Sequence, residues 1–102
     1  MKFNIKKLSN SRKTFFIADI AANHDGNLKR AKKLIRLCAE AGADAAKFQH
    51  FKAETIVSDY GFKKLGKITH QKKWKKSVYQ TYKDASIYFN WTAELKKTCD
   101  KH

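Results

Sequence analysis

Two apolar runs, each closing on polar residues, flank a stretch of three-and-four periodicity, an order that predicts strand, helix and strand. The first run, residues 15–20, is almost continuously apolar, as expected of a strand covered on both faces in a parallel sheet. Asn23, His24, Asp25 and Gly26 interrupt it with turn chemistry. Leu28, Ala31, Leu34, Ile35, Cys38 and Ala41 then recur at helical spacing, opposite Lys29, Arg30, Lys32, Lys33 and Arg36. Asn27 supplies an N-cap oxygen and Gly42 a residue suited to left-handed backbone, so the pattern predicts a helix over 28–41. A second apolar run, 45–51, follows closely; strand, helix and strand so connected form a right-handed βαβ unit with parallel strands.

Beyond residue 51 no further strand is evident. The stretch holds Gly61, Gly66, the Lys72 to Lys76 cluster and a helix expected over 77–85, and connections this long inside compact domains are often functional. Thr92 can cap a last helix through Glu94, Leu95 and Cys99, with the Glu94 carboxylate at the positive end of the helix dipole. Two parallel strands lack the neighbours and cover that such a sheet needs. The expected fold class is therefore α/β: the opening βαβα portion of a truncated (β/α)8 TIM-type barrel, a fold of about 250 residues. Residues 1–13 read as an N-terminal arm and 14–102 as a partial barrel domain, with two β/α units and a long loop after the second strand.

Composition narrows the function classes. With 102 residues, 42% hydrophobic and 13% aromatic, the chain has apolar material for one small domain and is not disordered. Its formal charge of +14, from 23 Lys and Arg against 9 Asp and Glu, invites a nucleic-acid or acidic-membrane surface. Outside Lys72 to Lys76, however, the lysines are scattered, and the only arginines are Arg12, Arg30 and Arg36, so solvated lysine faces are the simpler reading. Trp74, among those lysines, either stacks on a base or anchors the long excursion to the domain, and the second is the plainer account. Cys38 and Cys99 fall on apolar helix positions and read as small core residues in a reduced, cytoplasmic setting. Residues 1–13 are too polar for a signal peptide, and no apolar run is long enough to span a membrane.

Strand parity tests whether the polar strand ends converge. Phe15, Ile17 and Asp19 share one face of the first strand, and Ala45, Lys47 and Gln49 share one face of the second. Asp19, Lys47 and Gln49 can then face one barrel interior near the C-terminal strand ends, where barrel active sites lie. Spacing alone leaves two readings open: a ligand site, or an Asp19–Lys47 ion pair buried for structural reasons. Asn23, His24 and Asp25 equally fit substrate contacts at the barrel mouth or ordinary turn residues. His24, His50, His70 and His102 lack metal-ligand spacing.

These residues carry a resemblance. The run from Ile17 through Asp19, Asn23 and His24 to Gly26, and the run from Gly42 through Asp44 and Lys47 to Gln49, closely resemble the start of the N-acetylneuraminate (sialic acid) synthase family. The likeness continues through Phe51, Lys52, Ala53, Glu54 and Thr55. It implies a C–C bond-forming transferase that condenses phosphoenolpyruvate with an N-acylated aminohexose and releases phosphate, giving a nonulosonic acid of sialic or legionaminic type. By position, Lys47 is expected to bind phosphoenolpyruvate with Gln49 in the same pocket, Asp19 to be the catalytic acid near the sugar, and Asn23 and His24 to bind substrate. The resemblance further implies manganese or magnesium held by histidines from later strands, a C-terminal antifreeze-like domain and a homodimer; the fragment alone is expected to be inactive. Asp19 stands where the family usually has Glu, and Ala21 where it usually has Gly. Rival readings are a small basic nucleic-acid-binding module and a different phosphate-binding barrel enzyme.

Overall fold

The structure, a computed structural model, describes residues 13–65 and 71–102. The expected arm, apart from Lys13, lies outside the described residues, as do Gly66 and His70. Strand β1 (Ile17–Ala21), helix α1 (Leu28–Glu40) and strand β2 (Ala45–Phe48) form the βαβ unit, and the two strands pair in parallel. There follow α2 (Ala53–Ile56), α3 (Asp59–Leu65), α4 (Val78–Ala85) and α5 (Trp91–Lys101).

The ends of α1 are set by its sequence. The Asn27 side chain accepts from the Arg30 N–H at 2.9 Å, satisfying a donor that the first helical turn leaves free. At the other end Gly42 takes φ +92°, while the N–H groups of Gly42 and Ala43 reach the carbonyls of Ala39 and Cys38, both at 3.0 Å. That is the Schellman arrangement, and it leaves Ala41 exposed as the cap rather than part of the buried stripe. Asp44 closes the unit: its carboxylate accepts from the Phe16 N–H at 2.8 Å and so fixes the entry to β1 against the entry to β2.

Ile20, Ala31, Ile35, Ile87 and Leu95 make the buried core, with Leu28, Leu34, Cys38, Ala46, Phe48, Trp91 and Cys99 packed around it. These residues place α1 and α5 on the side of the sheet to which Ala18, Ile20, Ala46 and Phe48 belong by parity. Both cysteines are free and partly buried here, as the helical spacing suggested, and burial pushes the Cys99 thiol pKa up. Lys32 meets Glu94 at 2.8 Å across the α1–α5 seam, a contact exposed enough to contribute little. The opposite face is open among the described residues, with Ile17 59% exposed. The first strand was expected to be covered on both faces; the helices that reach the sheet core all belong to one.

The stretch after β2 carries no strand among the described residues, but it is more helical than its pattern suggested, since α2 and α3 were not expected. They are short, α2 burying Ala53 alone and α3 none of its residues, so neither shows an apolar stripe. α4 forms where a helix was expected, but Ser77 is its cap rather than its first residue, and the Ser77 hydroxyl accepts from the Gln80 N–H at 3.2 Å. The Ser86 hydroxyl accepts from the Ala53 N–H at 3.2 Å and donates to the Tyr82 carbonyl at 2.9 Å, tying α2 to the end of α4. Trp74 and Phe51 both meet the Tyr82 ring edge-on, at 6.1 Å and 5.8 Å between centroids, so Trp74 anchors the excursion to the chain just beyond β2. α5 starts at Trp91, with Asn90 in the cap position, rather than after Thr92. The N–H groups of Trp91 and Thr92 already bond the Tyr88 and Phe89 carbonyls at 2.9 Å and 3.3 Å. Thr92 Oγ1 instead lies 3.1 Å from His50 Nε2.

Candidate functional site

The parallel register sets Ile17 opposite Ala45, Ala18 opposite Ala46 and Asp19 opposite Lys47. Asp19 Oδ2 and Lys47 Nζ stand 3.5 Å apart on the open face, with their side chains 55% and 59% exposed. They do form an ion pair, but among the described residues it is not a buried one. An exposed pair at this distance contributes little to stability, and both groups remain accessible to a ligand. Gln49 follows two positions after Lys47 and is also exposed; its N–H donates to the Ala21 carbonyl at 3.1 Å, carrying the ladder one step beyond the strands.

The register slips between Asp19 and Ala21, so β1 holds one residue more than β2 at this end. Ala21 leaves the strand with φ +51°, a left-handed conformation in which a Cβ costs about 1 kcal/mol. This is where the family resemblance usually places Gly, and the backbone supplies the reason. Ala21→Gly is expected to stabilise the chain by up to about 1 kcal/mol, the relieved strain being partly offset by a more flexible unfolded state. Urea denaturation measures it, and a lowered midpoint would contradict the strain.

The remaining expected site residues, Asn23 and His24, make their hydrogen bonds within the turn after β1 and to α1 rather than to Asp19 or Lys47. Asn23 closes the turn on the Ile20 carbonyl with both its N–H and its side-chain amide, at 3.0 Å and 2.9 Å, while its own carbonyl accepts from Arg30 Nε at 2.8 Å. His24 is fully buried at 0% exposure, its ring edge-on to Trp91 at 5.6 Å and tilted against Phe48 at 6.5 Å. Its Nδ1 accepts from the Gly26 N–H at 3.0 Å. Burial holds the His24 pKa below its ordinary value; the Asp25 carboxylate opposes that shift and His50 adds to it. Gly26 has φ +68°, and a Cβ there would come 3.1 Å from the Asp84 carbonyl oxygen. The residue that sequence reasoning undervalued is Asp44, and its position immediately before a strand was the available signal.

Among the described residues no three His, Cys, Asp or Glu side chains converge to hold a metal, so these residues do not fit such a site. Nor is any helix among them long and apolar enough to cross a membrane.

A parallel βαβ unit that sets an acid beside an ammonium group near the C-terminal strand ends, on the uncovered face, defines an α/β protein with a candidate anion-binding site. The NeuB family is matched over residues 34–102, and the chain belongs to that family. It is 44% identical over 68 residues to the N,N'-diacetyllegionaminic acid synthase of Legionella pneumophila, covering 67% of this chain and 18% of that one. It is 30% identical over 95 residues to the pseudaminic acid synthase of Campylobacter jejuni, covering 92% and 27%. Over 40 residues it is 52% identical to the human N-acetylneuraminate-9-phosphate synthase, covering 39% and 11%. The chain therefore spans less than a third of the length of these relatives.

Proposed function

We propose that this chain forms the opening βαβα part of a (β/α)8 barrel in a phosphoenolpyruvate-dependent nonulosonic acid synthase, a C–C bond-forming transferase. The observation that carries the reading is the Asp19–Lys47 pair, set side by side by the strand register on a face that a closed barrel would turn inward. Membership of the NeuB family supports it, as do relatives named as legionaminic, pseudaminic and N-acetylneuraminate-9-phosphate synthases.

In this reading the Lys47 ammonium binds the carboxylate or phosphate of phosphoenolpyruvate, and Gln49 borders the same pocket. Carbon 3 of phosphoenolpyruvate bonds to the aldehyde carbon of an N-acylated aminohexose, whose oxygen takes up a proton; water enters at carbon 2 as phosphate leaves. Asp19 stands nearest the sugar as the acid or charge-stabilising group, one methylene shorter than the family's usual Glu. That difference amounts to more than about 1 Å of reach, enough to favour a modified sugar. His24, fully buried, acts through the turn it builds, while the exposed Asn23 contacts substrate at the barrel mouth. The complete protein works as a cytoplasmic homodimer and requires manganese or magnesium, held by residues from other parts of the barrel.

The test is phosphate release by the complete protein from phosphoenolpyruvate, with manganese and a panel of N-acylated aminohexoses. Release that depends on one of the sugars is the expected result, and the 102-residue chain alone should give none. No sugar-dependent release with any member of the panel would count against the reading.

A further inference from the structure

His24 is the largest side chain buried completely among the described residues, and it is a titratable one. Its hydrogen bonding fixes its chemistry. Nδ1 accepts the Gly26 N–H at 3.0 Å, so it carries no proton, and the neutral ring must carry its proton on Nε2. Nε2 has no hydrogen-bond partner among the described residues. A second ring proton would convert Nδ1 into a donor pointed at another donor, and would place a charge in a site walled by Trp91 and Phe48.

The turn that this ring holds leads directly out of the strand that carries Asp19. It leaves β1 two residues after Asp19 through the left-handed Ala21, is closed by Asn23 on the Ile20 carbonyl, and brings Gly26 against the end of α4 at Asp84. We propose that His24 is a pH-responsive positioning residue: its neutral ring fixes the turn after β1, and its protonation releases that turn. The device holds whether or not the chain acts on phosphoenolpyruvate.

The charged groups around it bear on this in opposite senses. Asp25, in its own turn, favours protonation; His50, beyond β2, opposes it, and desolvation opposes it most. On α5 the Glu94 carboxylate is held by Lys32 of α1, and on α4 the Asp84 carboxylate is held by Lys76 and Gln80, so neither is free to pair with the imidazolium. The sign follows. An unfolded His24 takes its proton near its ordinary pKa of 6.5, while the folded one resists it to lower pH. The stabilisation is complete above that value and is lost as pH falls through and below it.

Nitrogen NMR of the complete protein with labelled histidine and glycine, with amide exchange at Gly26 followed against pH, tests this. His24 is expected to carry its proton on Nε2 at neutral pH and to titrate below 6.5, and the Gly26 amide should lose about tenfold of its exchange protection at the same midpoint. His24→Gln should abolish the step, whereas His50→Gln should leave it in place. A proton on Nδ1, a Gly26 amide indifferent to the His24 titration, or a step that persists in His24→Gln would each overturn the proposal. The first two are read from the unaltered chain, so a poorly folding variant does not remove the test.

Discussion

Replacing Lys47 by Ala in the complete protein is expected to lower kcat/KM for phosphoenolpyruvate on the order of 10²-fold, corresponding to about 3 kcal/mol, while the KM for the sugar stays nearly constant. The asymmetry follows from position. Lys47 is the ammonium group paired across the two strands, and its side-chain partner among the described residues, Asp19, is 3.5 Å away. Losing the ammonium group removes a charge-assisted contact to an anion and costs the fold little, since the pair is more than half exposed. Steady-state kinetics with each substrate varied in turn separates the outcomes. An unchanged phosphoenolpyruvate dependence would remove Lys47 from its role, and an equal rise in both KM values would point to a general distortion of the pocket.

The second large effect is on stability. Ile35 is 3% exposed at the centre of the α1 stripe, within a core of five buried residues, and Ile35→Ala is expected to destabilise the chain by about 3 kcal/mol. For a domain this small that is a large share of the total, and such a variant should be substantially unfolded near room temperature. Leu37 lies on the same helix but is 43% exposed, and Leu37→Ala should stay within about 0.5 kcal/mol. Urea denaturation of both compares burial directly at nearly constant chemistry. Equal losses at the two positions would contradict the placement of the core.

The sequence carries most of α1 and of the strand pair because the signals there are local. Asn27, the apolar stripe and Gly42 each fix one feature of the helix, and all three agree. That Asp19 and Lys47 share a face was legible through parity, whereas their standing directly opposite each other follows from the strand register, which parity does not set. Cover over the sheet was not legible: alternation says which residues share a face, but not which helix packs there. The burial of His24 depends on Trp91 and Phe48, which are remote in sequence, so a turn composition that also fits a substrate loop could not reveal it. α3 escaped because it buries none of its residues, and Thr92 was misplaced as a cap because its backbone partner is supplied one turn earlier by Phe89.

The central claim is that the Asp19–Lys47 face serves the joining of phosphoenolpyruvate to an aminohexose. The measurement closest to it gives the complete protein phosphoenolpyruvate isotope-labelled at carbon 3, an N-acylated aminohexose and manganese, and follows the label by carbon NMR. The account predicts that the label moves into a methylene bonded to the former aldehyde carbon of a nonulosonic acid, with one phosphate released per bond formed. Label accumulating in the methyl group of pyruvate, with phosphate released and no new carbon–carbon bond, would contradict it.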